Sequence, residues 1–207
     1  MIGQINLDSS FGKYINDVSK TFNTIVEIGT WNGRGSTKCI IDALLPRTDD
    51  YLFYTIECNL DRYNESKLYW DSILTDEHKS KIFLLHGSIL NEDTIISKEI
   101  LKQYLDFVEL WFDEDVNWIK SSENVLYRLP SHIDILLLDG GEYTTYSEFL
   151  LLKDRSDFIL LDDSNMFKCR QIKEELLLDD NYELVIDCPQ ERNGYTIFKK
   201  RELIDVN

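Results

Sequence analysis

Four short segments of this chain carry side chains that could do chemistry together. Asp139-Gly140-Gly141-Glu142-Tyr143 follows the apolar run 133–138, Asp162-Asp163-Ser164-Asn165 follows the run 157–161, and Glu57 ends the aromatic and β-branched run 51–56. The fourth segment, Val26-Glu27-Ile28-Gly29-Thr30-Trp31-Asn32-Gly33-Arg34-Gly35-Ser36-Thr37, carries a carboxylate into a glycine-rich turn. Short apolar runs of this kind read as strands, and a parallel sheet buried on both faces favours them. Neighbouring strands lie about 4.8 Å apart, so Asp139, Asp162 and Asp163 should converge at one rim of the sheet. Three crowded carboxylates repel one another unless a cation offsets them. Ligation by oxygen alone suits Mg²⁺, with Mn²⁺ or Ca²⁺ as substitutes. Each acid also has a local explanation: Asp163 or Ser164 could cap a helix beginning near Met166, and Asp139-Gly140-Gly141 could be a tight turn.

The glycine loop lies between a strand at 24–28 and a helix at 36–45 that Pro46 stops, at the strand end where open α/β sheets bind ligands. Its spacing, Gly29, Gly33 and Gly35, is neither the G-x-G-x-x-G of dinucleotide sites nor the Gly-Lys-Ser/Thr ending of a P-loop. The glycines could serve positive φ alone. A carboxylate, Glu27, two positions before the first glycine favours a cationic ligand over a phosphate. S-adenosylmethionine carries both a sulfonium and an ammonium. Glu57, at the end of the next strand, can accept hydrogen bonds from both hydroxyls of a ribose.

Glu27-Ile28-Gly29-Thr30-Trp31-Asn32-Gly33 resembles the first motif of class I S-adenosylmethionine-dependent methyltransferases, and within them that of the macrocin O-methyltransferase and related sugar-methylating families. Asp139-Gly140-Gly141-Glu142-Tyr143 and Asp162-Asp163 are similar to the D-G-x-x-Y and D-D segments of metal-dependent members. The resemblance covers roughly residues 22 to 200. It implies an α/β fold: a Rossmann-like, mostly parallel seven-stranded sheet with helices on both faces and a C-terminal antiparallel hairpin. It puts S-adenosylmethionine on Glu27, Gly29, Thr30, Trp31, Gly33 and Ser36 of the loop, on Glu57, on Ser88 after a third strand at 81–86, and on Asp139. Asp139, Asp162 and Asp163 would hold Mg²⁺ or Mn²⁺, and the activity implied is O-methylation of a small hydroxylated acceptor such as a sugar or sugar nucleotide. A catechol-like acceptor, or a non-catalytic adenosine-ligand-binding protein on the same fold, are the alternatives. Asp139 and Glu142 are the expected catalytic residues. Relatives often place an acid or histidine directly after D-G, where this chain has Gly141, so Glu142 is the candidate base; it could equally be a solvated first-turn residue of a helix at 143–153.

The remaining pattern supplies the elements that would hold these groups. Segments 181–186 and 194–199 read as strands whose joining loop, with Pro189 and Gly194, is too short for a crossover helix, so they must pair antiparallel. Residues 7–20 read as an amphipathic helix started by Asp8 or Ser9. Residues 101–131 form the connection expected to meet the acceptor, with a helix at 101–111 and then Trp111-Phe112-Asp113-Glu114-Asp115-Val116-Asn117-Trp118. Aromatic faces there suit sugar rings or contact with a second copy of the chain in a homodimer, or simply anchor the connection.

With 207 residues, 43% of them hydrophobic, and no linker-like stretch, residues 1–207 read as one domain. No run is long and apolar enough for a membrane span and no signal-peptide pattern opens the chain, so a cytoplasmic location is expected. Cys39, Cys58, Cys169 and Cys188 lack metal-binding spacing and read as free thiols; His78, His86 and His132 are scattered. The 22 basic and 38 acidic residues give a formal net charge of −16, which repels polyanions and argues against nucleic-acid substrates. Lys168, Arg170 and Lys173 read as a solvated helix face.

Overall fold

A computed structural model describes residues 3–105 and 107–201; residues 1–2, 106 and 202–207 of the expected domain lie outside the described residues. Seven strands, β1 (Thr24–Ile28), β2 (Leu52–Glu57), β3 (Ile82–His86), β4 (Ile133–Leu138), β5 (Ser156–Asp162), β6 (Tyr182–Cys188) and β7 (Tyr195–Lys200), form one sheet in the order β3-β2-β1-β4-β5-β7-β6. β1 to β5 run parallel to their neighbours, while β7 is antiparallel to both β5 and β6. This is the mostly parallel, Rossmann-like sheet ending in an antiparallel hairpin that the sequence leads one to expect.

Eight α-helices accompany the described strands: α1 (Ser10–Ser19), α2 (Ser36–Leu44), α3 (Leu60–Asp71), α4 (Asp76–Lys79), α5 (Lys98–Leu101), α6 (Glu109–Ser121), α7 (Thr145–Leu152) and α8 (Phe167–Leu178). The two-residue alternation of the strands sorts their side chains between two cores. Ile25, Phe53, Ile135, Leu137 and Leu160 face Phe11 and Ile15 of α1, Ile40 and Leu44 of α2, and Trp70 of α3. Val26, Ile28, Leu136, Leu138 and Ile159 face Ile119 of α6, Phe149 of α7, and Ile172 and Leu176 of α8. Ser9 starts α1, its side chain accepting from the Gly12 N–H at 3.0 Å.

The connection before β4 differs from its sequence-predicted form. The expected helix at 101–111 is replaced by α5, which stops at Leu101, and by α6, which begins only at Glu109 and continues through the acidic stretch to Ser121. An aromatic cluster explains the shift: Phe107, Phe112 and Tyr143 pack with ring centroids 5.2–6.1 Å apart, and the Tyr143 hydroxyl accepts from the Val108 N–H at 2.6 Å, anchoring the chain just before α6.

β1 and β4 meet where the strand order reverses, and there the backbones touch. The Asp139 N–H donates to the Ile28 carbonyl at 2.9 Å, and Gly29 has φ +97°, with an added Cβ falling 2.1 Å from the Asp139 carbonyl oxygen. Glycine is the residue that fits both constraints. Gly29→Ala should therefore lower unfolding stability by about 3 kcal/mol, read as a lower denaturant midpoint at unchanged slope; a midpoint equal to the parent's would show that the two strands separate more easily than this geometry allows.

Candidate active site

A cleft of about 350 Å³ opens at the carboxyl ends of β1, β2, β4 and β5, at the topological switch point where open sheets bind ligands. Gly29, Thr30, Trp31, Ser36, Glu57, Ser88, Asp139, Asp162 and Asp163 all line it. Among the described residues, the non-glycine positions at positive φ are Trp31 (50°), Asp163 (51°) and Arg192 (54°), and all three are on the cleft wall. Such strain is kept where the surroundings fix the backbone for a purpose, as ligand sites do.

Glu57 is held at the end of β2 by backbone amides: Trp31 N–H donates to Oε2 at 2.7 Å and Asn59 N–H to Oε1 at 2.9 Å. Each oxygen keeps a lone pair for a ligand hydroxyl. Burial pushes its pKa up to about 7 against those amide contacts. Ser88 is in place, but its hydroxyl already accepts the Leu90 N–H at 3.0 Å.

Three of the expected residues do not reach the cleft. Glu27 points from β1 under α2, fully buried, and its carboxylate accepts hydroxyls from Ser36 at 2.5 Å, Thr37 at 2.7 Å and Thr55 at 2.6 Å. It fastens the loop rather than contacting a cationic ligand, and burial raises its pKa to about 7 despite those hydroxyls. Gly33, at φ +71°, serves packing: an added Cβ would lie 2.4 Å from Ser66 Oγ, and its carbonyl accepts the Trp70 indole N–H at 2.9 Å. Glu142 accepts the Lys168 backbone N–H at 3.3 Å in the first turn of α8, a placement that helix-terminus electrostatics favours. The structure thus places the expected base at the amino end of α8 and not among the residues lining the cleft.

Asp139, Asp162 and Asp163 do converge, with a carboxylate oxygen of each within 4.8 Å of the others. Two cations that sequence reasoning did not place at the rim stand among them. Lys168, with a side chain only 6% exposed, donates from Nζ to Asp139 Oδ1 at 2.7 Å and to Asp163 Oδ2 at 3.0 Å. Arg192, on the loop between β6 and β7, grips both oxygens of Asp162 at 3.0 and 3.3 Å. Asp163 does not cap α8, and its side chain is only partly exposed; its other oxygen accepts the Asn193 amide at 3.1 Å. Burial raises Asp162, reinforced by Asp139 and Asp163, whereas Lys168 and Arg192 outweigh burial at Asp163 and hold it below the usual carboxylate range. Burial opposes the charge on Lys168, but the surrounding carboxylates win and raise its pKa well above the usual value.

The trio thus has the oxygen donors that a hard divalent ion takes, but its geometry is that of an ammonium site. The Lys168 ammonium stands between Asp139 and Asp163 at charge-assisted hydrogen-bond lengths of 2.7 and 3.0 Å and fills the space between those carboxylates. As arranged, the residues present do not fit a bound ion.

Lys168 had a sequence signature after all: it lies four and eight residues before Ile172 and Leu176, on the buried stripe of α8. Asp115 of α6 and Glu148 of α7 were also missed, and both line the cleft near Cys58. Asp115 accepts the Tyr143 N–H at 3.2 Å, and burial raises it to about 6. Glu148 has a buried Oε2 with no hydrogen-bond partner and is raised to about 8, first by burial and then by Asp115 and Glu57.

No protein-family model matches the sequence, and no curated protein matches it either. Solved structures do share the fold. An O-methyltransferase from Bacillus cereus in complex with S-adenosylhomocysteine is 12% identical, with TM-score 0.61 over 96% of this chain and 84% of that one. The O-methyltransferase TomG from Streptomyces achromogenes, involved in tomaymycin synthesis and bound to S-adenosylmethionine, is 14% identical, with TM-score 0.59 over 96% and 82%. A putative caffeoyl-CoA O-methyltransferase from Staphylococcus aureus is 14% identical, with TM-score 0.57 over 95% and 85%. At these identities the likeness is one of fold, and the fold is that of Rossmann-like methyltransferases.

The raised acids fix the sign of a pH dependence. Glu27, Glu57 and Glu148 bind protons more tightly in the fold than in the unfolded chain, where 4.5 is the ordinary value. Their contribution to stability is complete below that value and is lost as pH rises through about 7 to about 8. The ligand-free protein should become less stable from about pH 5 to about pH 8, and Glu148→Gln should flatten the slope and stabilise the alkaline end by a few kcal/mol. Denaturant titrations across that range check this; equal slopes for the two proteins would mean that Glu148 is not held protonated.

Proposed function

We propose that this protein is an S-adenosylmethionine-dependent O-methyltransferase acting on a small hydroxylated acceptor. The observation that carries the reading is Glu57, pinned by two backbone amides beside the strained turn at Trp31 and directed into the cleft at the switch point. That is a ribose-binding carboxylate beside a loop shaped to admit an adenosyl ligand. The fold shared with O-methyltransferases bound to S-adenosylmethionine or S-adenosylhomocysteine supports it.

Methyl transfer needs alignment of an acceptor oxygen with the sulfonium methyl and a place for the proton. As the new C–O bond forms, the S–C bond breaks, its electron pair stays on sulfur, and the hydroxyl proton moves to a carboxylate. Asp139 and Asp162 line the cleft at the end of the β4–β5 pair and are the groups suited to take it. The Lys168 ammonium, held against Asp139, keeps local positive charge beside an oxygen that becomes more negative during reaction. Even with Glu148 held protonated, Glu57, Asp115, Asp139, Asp162 and Asp163 outnumber Lys168 and Arg192 on the cleft wall. Such an excess of acids disfavours an acceptor carrying a pyrophosphate, so free sugars and amino sugars are the first acceptors to test, ahead of sugar nucleotides, with catechol-like diols alongside.

Calorimetry should detect S-adenosylmethionine binding, and Glu57→Gln should weaken it about tenfold to a hundredfold. In a mass-read screen of sugars and diols, Asp139→Asn should lower kcat about a hundredfold, while Glu142→Gln stays within about twofold of the parent because that side chain serves a helix end. Absence of any heat with S-adenosylmethionine would falsify the proposal.

A further inference from the structure

We infer that Lys168 is the resident cation of the Asp139–Asp162–Asp163 trio and occupies the position a divalent ion would need, so that the rim of this sheet is a metal-excluding site while the amine is there. The inference concerns the same rim as the proposed methyl transfer but rests on the geometry of the trio, not on that activity.

Three observations carry it. The Lys168 ammonium contacts Asp139 Oδ1 and Asp163 Oδ2 at once, at 2.7 and 3.0 Å, which places positive charge between two carboxylates delivered by different strand ends. The third acid is also paired: Arg192 donates to both oxygens of Asp162, which holds that carboxylate in place by a strong bidentate contact and leaves each oxygen one lone pair for a cation that takes the place of the amine. Finally, Lys168 is not a surface lysine that can swing away. Its side chain is 6% exposed, its backbone N–H is fixed by Glu142, and the residues following it on the buried face of α8, Cys169, Ile172 and Leu176, are sealed in the core. Moving the amine out means extracting a buried charge from its partners, and leaving three carboxylates behind without it is costly in turn.

Charge counting points the same way. The trio brings three negative charges; Lys168 and Arg192 bring two positive ones, leaving a net single negative charge. A divalent ion added to that set would overshoot to positive, whereas a divalent ion replacing Lys168 would restore balance. Removing the amine should therefore create a metal site. A second acidic group, His132 with Asp134 and Asp157, lies at the opposite ends of β4 and β5, and its histidine is 61% exposed; His132→Gln in every protein tested keeps that surface group out of the reading.

The experiment is a Mn²⁺ titration of the full chain, followed by electron paramagnetic resonance of free Mn²⁺, with Lys168 intact, with Lys168→Met and with Lys168→Arg. With Lys168 or arginine present, no saturable binding is expected up to millimolar Mn²⁺; Lys168→Met should bind one ion at least tenfold more tightly, lose it on Asp162→Asn, and gain thermal stability with Mn²⁺ that the parent does not. Saturable binding by the parent that Asp162→Asn abolishes would overturn the inference. So would a folded Lys168→Met, judged by its circular dichroism, that binds no more Mn²⁺ than the parent. If Lys168→Met does not fold, the parent titration decides alone: Asp162-dependent binding refutes, and none up to millimolar supports. The reading is independent of methyl transfer, because a protein that binds no S-adenosylmethionine still returns each of these outcomes.

Discussion

The ion-pair arrangement at the carboxyl rim of the sheet is the constraint on which the rest turns. β4 and β5 end in aspartates side by side because parallel register aligns Leu138 with Leu161, and nothing in strand geometry separates the charges that follow. Burying one carboxylate without a partner is expensive, and burying several together compounds it. Lys168 and Arg192 meet that demand from α8 and from the β6–β7 loop, so both elements must be docked for the rim to exist. Asp163 accepts a left-handed backbone to present its carboxylate to both cations. Electrostatics at one edge thus dictates where the C-terminal third of the chain must lie.

Much of the architecture was legible beforehand. β1 and β4 run over the residues that their apolar character suggests, because strands buried on both faces write themselves as uninterrupted hydrophobic runs. Convergence of Asp139, Asp162 and Asp163 followed from the same reading. The partners of those acids did not, since a lysine on a helix is charged in any sequence and its burial depends on the phase of the helix. Ile172 and Leu176 set that phase here, and Lys168 shares their stripe. Arg192 could be placed only once the hairpin was known to fold back over β5.

Glu27 and Glu142 show a different limit. Both are acids in motif positions, yet direction decides their roles. Glu27 stands opposite Thr55 in register, so its side chain projects to the α2 side of the sheet, where the hydroxyls of Ser36 and Thr37 meet it. Glu142 turns toward the amino end of α8, where unpaired N–H groups attract negative charge. The connection from 101 to 131 was the least legible, because the aromatic packing of Phe107 and Phe112 on Tyr143 is long-range and leaves no local periodicity.

The loop that carries Arg192 also reaches back to the beginning of the chain. Glu191 accepts the Phe11 N–H at 3.3 Å and pairs with the Ser10 hydroxyl, and the Arg192 guanidinium donates to Gln4. Sequence neighbours of Arg192 therefore clasp α1 across some of the largest separations in the protein, 180 and 181 positions. Contacts so distant in sequence close late and slowly. During synthesis, a nascent chain that has already emerged with its glycine loop and both aspartate-bearing strands would still lack the clasp, leaving its acids open to water. Completion of the rim thus waits for the β6–β7 loop to be synthesised, and a chain cut short before Arg192 lacks the guanidinium that pairs with Asp162.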